Sequence, residues 1–74
     1  MSTNRDQDYI KAFGVHLRTL REANNLTQEK LAELSGVTFS QIGRFERGVR
    51  SPTLSTLKCL AAGLNIHPKE LLDF

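Results

Sequence analysis

The stretch from Thr38 to Thr53 concentrates the side chains that are best suited to hydrogen bonding with a nucleic acid. It contains three arginines, Arg44, Arg47 and Arg50, and one acid, Glu46. A guanidinium group can donate paired hydrogen bonds to the edge of a guanine or to a phosphate. Because the net charge of the whole chain is only +2, this local excess of positive charge indicates a nucleic-acid partner better than the total does.

A helix through this stretch would separate polar and apolar side chains onto two faces, because successive residues rotate by about 100°. The polar arc contains Ser40, Gly43, Arg44 and Arg47, and the apolar wedge contains Ile42 and Phe45. We predict that the polar arc enters the major groove of DNA, which is wide enough to admit a helix. There Arg44 would contact a guanine edge and Ser40 several kinds of base, while Gly43 would let the helix approach the base edges closely.

Further residues of this region are predicted to contact DNA. Phe39 begins the helix and would suit the methyl group of a thymine if it is exposed; the alternative is that it packs on a neighbouring helix. Gln28 opens the preceding helix, where its amide and the free backbone N–H groups could hold a phosphate. We assign phosphate contacts also to Gln41, and to Arg47 and Arg50, which would hold the DNA backbone on the other side.

Two short helices joined by a turn are predicted to position this surface. Thr27 is a good N-cap for the first of them, and Gly36 ends it in the left-handed conformation that glycine adopts readily. Thr38 caps the second, which runs to about Arg47, and Gln41 three residues later completes a capping box.

A longer helix is predicted before this pair. We predict that residues 1–8 form a flexible polar arm and that the domain proper spans residues 9–74. Its first helix would run from about Tyr9 to Asn24, because apolar side chains recur there at spacings of three and four. These side chains are Ile10, Phe13, Leu17 and Leu20.

Two more helices are predicted after the pair. The fourth helix would be capped by Ser51 or Thr53 and would end near Gly63. A short fifth helix would be capped by His67 and would begin at Pro68, since proline suits the first helical position.

Size and composition limit what the chain can be. Its 74 residues make one domain, without room for two cores. No apolar run approaches the roughly 18 residues of a membrane helix, and the first residues lack the apolar core of a secretory signal, so we expect a cytoplasmic protein. Leu34, Leu54 and Cys59 are expected to face the interior, and a single cysteine excludes an internal disulfide.

The chain carries the multi-point pattern Thr27-Gln28-Glu29-x-Leu31-Ala32-x-x-x-Gly36-Val37-x-x-x-x-Ile42-x-x-Phe45-Glu46-x-Gly48. This pattern resembles that of the phage repressor and Cro-like (XRE-type) helix-turn-helix family, and the resemblance extends over about residues 10–73. It implies an all-α fold, a compact five-helix domain like that of lambda repressor, with the helix-turn-helix at about residues 27–47. It also implies sequence-specific binding of operator DNA in transcription control, usually as a homodimer on a palindromic site.

The resemblance assigns roles to individual positions. Gln28 matches the family's phosphate-holding position, and the base-facing positions match Thr38, Phe39, Ser40 and Arg44. Arg21 and Glu46 match a basic and an acidic residue that tie the first helix to the third. Many members carry Gln or Asn where this chain has Phe39 and Ser40, so the preferred bases do not carry over.

The carboxyl-terminal end is predicted to form a dimer interface. It carries Leu71, Leu72 and Phe74 on a helix that is too short to bury them all. A second copy covering them would form a homodimer that reaches two DNA half-sites about one helical turn apart. The alternative is that these side chains fold back onto the first helix.

The sequence favours a repressor or autoregulator that binds double-stranded DNA. It lacks a glycine-rich phosphate loop, a zinc ligand set and paired catalytic carboxylates, so we predict no enzymatic activity. For the same reason we expect no cofactor, no metal and no small-molecule ligand, and the lack of a long apolar run predicts no membrane partner. The alternative function is a protein-interaction adaptor with Phe39, Ile66 and Phe74 in the contact. The charged polar arc would be unsuitable for the apolar core of such an interface.

Overall fold

Four α-helices and one turn of 3-10 helix make up the described chain. The computed structural model describes the backbone of residues 3–74 and the side chains of residues 6–74. The helices are α1 (Thr3–Ala23), α2 (Gln28–Ser35), α3 (Phe39–Glu46) and α4 (Leu54–Leu64), and the 3-10 segment is Pro68–Leu72. These residues contain no strand, which confirms the all-helical prediction. The number of α-helices is four and not five, because the last predicted helix is a 3-10 turn.

Helix α1 begins earlier than predicted. It starts at Thr3 and not near Tyr9, so the arm predicted over residues 1–8 is helical from residue 3 onward, and residues 1–2 lie outside the described part. Residues 6–8 are exposed and polar, so they add nothing to the apolar stripe from which the boundary was predicted. Asp6 in the first turn favours this longer helix, because a negative charge suits the positive end of the helix dipole.

The caps around α2 and α3 form as predicted. The Thr27 hydroxyl accepts a hydrogen bond from the Lys30 N–H at 3.0 Å. Gly36 ends α2 with φ of +76°, in the left-handed region. At the start of α3, the Thr38 hydroxyl accepts from the Gln41 N–H at 3.1 Å, and the Gln41 side-chain oxygen accepts from the Thr38 N–H at 3.4 Å. These bonds satisfy N–H groups that a helix start otherwise leaves free, and so fix the corner between the two helices.

One apolar cluster joins all the helices. Its fully buried side chains include Leu17, Leu31, Ile42, Phe45, Leu60 and Leu71. Helix α3 packs on α1 and α2 through its inner face, and α2 packs in turn on α4. The outer face of α3 is thereby held in a fixed position by its own apolar wedge.

Helices α1 and α3 approach each other closely at Gly14. A Cβ added there would collide with the carbonyl oxygen of Phe45 and would stand 2.8 Å from that of Glu46. Only a residue without a side chain lets the two backbones meet in this way. The close contact places the end of α3 against α1, where Arg21 lies further along the helix.

Several apolar side chains differ from the prediction in whether they are buried or exposed. Leu54 is 84% exposed because it is the first residue of α4 and projects beyond the core. Leu34 and Cys59 are also exposed, since each lies to one side of the buried stripe of its helix. Leu71 is fully buried, because the 3-10 segment folds back onto α1 and α4.

Candidate nucleic-acid interface

A buried ion pair between α1 and α3 supports the candidate interface. Arg21 Nε donates to Glu46 Oε2 at 2.7 Å, and its Nη2 donates to Oε1 at 3.0 Å. A third bond runs from Arg21 Nη1 to the Leu26 carbonyl oxygen at 2.7 Å. The two side chains are only 10% and 4% exposed. The structure therefore brings the predicted pair together in a two-pronged geometry that fixes both side chains.

The charge of this buried guanidinium is maintained by its partner. The hydrogen bond to Glu46 raises the pKa of Arg21 above its usual value, although burial acts in the opposite direction. Since the pKa of arginine is already very high, the Arg21 guanidinium stays positively charged at every pH at which the protein would be used.

Gln28 belongs to the same cluster, which the sequence did not reveal. Its side-chain Nε2 donates to Glu46 Oε1 at 3.0 Å, and the residue is half-buried. The prediction left this amide free to hold a phosphate, and in the structure one of its two hydrogens is engaged. The neighbouring position of Gln28 and Glu46 depends on the crossing of α2 and α3, so no local signal in the sequence could indicate it.

The outer face of α3 presents the predicted polar side chains. Ser40 and Arg44 are exposed, as is Arg50 in the loop that follows. Phe39 is 54% exposed, which answers the question that the sequence left open between an exposed and a packed ring. Thr38 and Gln41 are also exposed, but they hydrogen-bond to each other through the capping box and a hydroxyl-to-amide contact of 3.2 Å.

Gly43 and Arg47 differ from the prediction. Gly43 is buried and does not form an open position on the surface. A Cβ added there would meet Arg47 Nη1 at 3.0 Å, so the Arg47 guanidinium lies across this part of α3. Side chains in a helix point back toward its N-terminus, and this carries Arg47 away from the loop beside which it was expected to hold phosphate.

An open, largely polar groove of about 500 Å³ runs between α1, the start of α2 and α3. Its lining residues are Arg18, Arg21, Thr27, Gln28, Glu29, Phe39, Glu46 and Arg47. Arg18 was not among the predicted site residues. It is exposed, forms a surface ion pair with Glu22 at 3.3 Å, and precedes Arg21 by three residues. That spacing places both arginines on one side of α1, and it is the signal in the sequence from which Arg18 could have been predicted.

The carboxyl-terminal end only partly matches the predicted interface. Leu71 is buried in the core, so its assignment to a dimer interface is wrong. Leu72 and Phe74 are each 45% exposed. The ring of Phe74 lies near those of Tyr9 and His16, at centroid distances of 5.0 and 5.4 Å. The predicted alternative, folding back onto the first helix, therefore describes Leu71 fully and Phe74 in part.

Two other features of residues 3–74 bear on the expected partners. In this part of the chain, no three His, Cys, Asp or Glu side chains are grouped as ligands of a metal ion. Among the helices described, none has both the length and the apolar character needed to cross a membrane.

Known proteins share both the sequence pattern and the fold. A helix-turn-helix family model matches residues 17–71. Control protein C.SmaI of Serratia marcescens is 49% identical over 65 residues, which cover 88% of this chain and 77% of that protein. The transcriptional repressor RghR of Bacillus subtilis is 45% identical over 64 residues, covering 85% of this chain and 47% of the relative. The crystal structure of the restriction-modification controller protein C.AhdI from Aeromonas hydrophila superposes with a TM-score of 0.80 at 48% identity, covering 86% of this chain and 96% of that one.

Proposed function

Because this chain belongs to the helix-turn-helix family of DNA-binding transcriptional regulators, we propose that it recognises a specific operator through the outer face of α3. The observation that carries this proposal is the division of α3 into two faces. Ile42 and Phe45 are buried, while Ser40 and Arg44 are exposed on the opposite side. A short helix anchored by its inner face can present the outer face to the major groove without moving.

The side chains of this surface take different roles in the proposed complex. Arg44 would donate to a guanine edge and Ser40 to neighbouring bases, with the Thr38 methyl and the Phe39 ring available for a thymine methyl. These contacts would carry the sequence preference, because base edges and not phosphates differ between sequences.

Phosphate contacts would hold the helix in register. We assign them to Arg50, to Gln41 and to the start of α2, where backbone N–H groups and the remaining amide hydrogen of Gln28 are available. The hydrogen bonds from Gln28 and Arg21 to Glu46 would then connect this phosphate contact to α1 and α3.

The relatives suggest the genetic setting. C.SmaI is a control protein and C.AhdI is a restriction-modification controller protein. We propose the same class of role for this chain, as a repressor or autoregulator that acts in the cytoplasm by occupying a promoter. Binding alone would suffice for such a role, so no catalytic step is needed.

A homodimer is the proposed binding form. The half-exposed side chains of Leu72 and Phe74 lie beside Tyr9, which is also exposed, and together they form an apolar patch at one end of the molecule. A homodimer that reads two palindromic half-sites must hold its two α3 helices about 34–36 Å apart, and we propose that a second copy covering this patch forms that dimer.

Selection from a pool of random duplexes at moderate salt tests the proposed function. We expect enrichment of an inverted repeat, with base preference relaxed in Arg44→Ala and unchanged in Lys58→Ala, which removes an exposed charge on α4. Failure to enrich any duplex would contradict the proposal and would favour the adaptor alternative. That alternative is weakened by Ile66, which is partly buried and packs against the core.

A further inference from the structure

We propose that Phe39, Gly43 and Arg47 form one reading stripe on α3 that recognises a thymine methyl and a guanine edge lying within two base pairs of each other. In this stripe Arg47 reads a base and does not serve only as a phosphate contact, and Gly43 is the positioning residue that makes room for it. The inference rests on the proposed function, since it concerns how the same surface selects its DNA.

The first step is the path of the Arg47 side chain. Arg47 follows Gly43 by one helical turn, and its backbone N–H donates to the Gly43 carbonyl at 3.0 Å. Its Nη1 and Cζ atoms lie 3.0 and 3.9 Å from where a Gly43 Cβ would stand. The side chain therefore returns along the helix by one turn, and its charged end lies at the middle of α3.

The second step is the position of Phe39. Residues 39, 43 and 47 are each four apart, so they form a single row along the helix. Both Phe39 and Arg47 line the same groove. With a rise of about 1.5 Å per residue, the level of Gly43 is about 6 Å from that of Phe39. Since base pairs stack about 3.4 Å apart, the ring and the guanidinium group address bases within two steps.

The third step is the chemistry of the Phe39 ring and the Arg47 guanidinium, the two contact groups of the stripe. An exposed aromatic ring offers the apolar contact that distinguishes thymine by its 5-methyl group, and a planar guanidinium matches the two acceptors of guanine, O6 and N7. The absent side chain at position 43 leaves room for the Arg47 guanidinium, which a larger residue there would meet. This arrangement explains why a glycine stands in the interior of a short helix, where it is otherwise unfavourable.

Base analogues in the selected operator test the stripe directly. Replacing the contacted thymine by deoxyuridine removes only a methyl group, and we expect affinity to fall about threefold to fivefold. Replacing the contacted guanine by 7-deazaguanine removes one acceptor, and we expect a loss of at least about fivefold. The loss of affinity caused by deoxyuridine should vanish in Phe39→Ala. The loss caused by 7-deazaguanine should vanish in Arg47→Lys, because lysine keeps the charge but lacks the planar fork of hydrogen-bond donors.

Gly43→Ala tests the positioning role, because a purely structural glycine would affect folding and not base preference. We expect its melting temperature to equal or exceed that of the parent protein, while its penalty for 7-deazaguanine shrinks toward that of Arg47→Lys. Arg44→Lys serves as the comparison, since it should change preference at a different base pair.

Each outcome decides the inference. If an operator is enriched but neither analogue lowers affinity, or if the penalties persist in the variants, the reading stripe is wrong and the proposed function stands. If Arg47→Lys binds every sequence as the parent does, Arg47 is only a phosphate contact. If no duplex is enriched at all, the proposed function is wrong, and so is the reading stripe that depends on it.

Discussion

Among the single residues, Glu46 connects the most parts of the interface. Its carboxylate accepts from Arg21 on α1 and from Gln28 at the start of α2, while its own side chain is almost fully buried. A buried carboxylate is costly unless its partners satisfy it, so loss of one partner costs more than the pair contributes. The three residues are therefore a structural requirement for the orientation of α3.

Arg21→Ala should destabilise the domain by about 3–5 kcal/mol, because it leaves the Glu46 carboxylate buried without its cation. Arg18→Ala is the matched control, since its ion pair with Glu22 is exposed on the same helix and should change stability by less than about 1 kcal/mol. Urea unfolding followed by circular dichroism measures both, and loss of a folded baseline in Arg21→Ala agrees with the expectation. Equal midpoints for the two variants would contradict it.

The residues that the sequence predicted well are those with local partners. Thr27, Thr38 and Gly36 act within three or four residues of themselves, so their spacing alone determines their roles. The sequence did not indicate the surroundings of Gln28 and Arg47. Gln28 donates to a partner on another helix, and the path of Arg47 depends on the missing side chain of Gly43 one turn away. The sequence therefore predicted the capping box and the Arg21–Glu46 pair, but not the hydrogen bond from Gln28 to Glu46.

At the scale of elements, the contact of α1 with α3 determines the orientation of the outer face of α3. Gly14 permits this contact, and two backbone carbonyl groups of α3 lie where its side chain would be. A lone glycine within a helical pattern gives no sign of such an approach. The sequence likewise does not indicate the true start of α1, because its exposed first turns contain no apolar residues at helical spacing. The last segment adopts 3-10 geometry because it is short and begins with a proline.

Gly14→Ala should lower stability by about 1–3 kcal/mol, since the rigid backbone of α3 must shift to admit the new methyl group. Gly43→Ala is the control, because its added Cβ meets only the end of the Arg47 side chain. We expect the control to be neutral or more stable, by up to about 1 kcal/mol, from its better helix propensity. Thermal unfolding of both proteins checks this, and a Gly14→Ala protein as stable as the parent would refute the close-contact account.

At the scale of the whole molecule, the proposed function uses two separate surfaces. The polar face of α3 is proposed to bind DNA, and the patch formed by Tyr9, Leu72 and Phe74 is proposed to pair two copies. The patch could be predicted only in outline, because the burial of Leu71 depends on where the 3-10 segment docks.

Leu72→Asp should shift the molecule toward a monomer, because it places a charge in the proposed dimer interface. Leu54→Asp is the matched control, as it introduces the same change at an apolar side chain that is 84% exposed on α4. Sedimentation velocity over a range of concentrations measures the association. If Leu54→Asp dissociates the dimer and Leu72→Asp does not, the interface lies on α4; a monomeric parent protein would remove the proposed dimer altogether.

The most direct test of the central claim is a nuclear magnetic resonance titration of the labelled protein with the selected operator, using a scrambled duplex for comparison. We expect the backbone amide signals of residues 27–30 and 38–50 to shift most with the operator, and the amide signals of α4 to shift little. The scrambled duplex should mainly affect signals near the phosphate contacts. Shifts concentrated in residues 66–74, with those of Ser40 and Arg44 unchanged, would contradict the assignment of α3 as the DNA-reading helix.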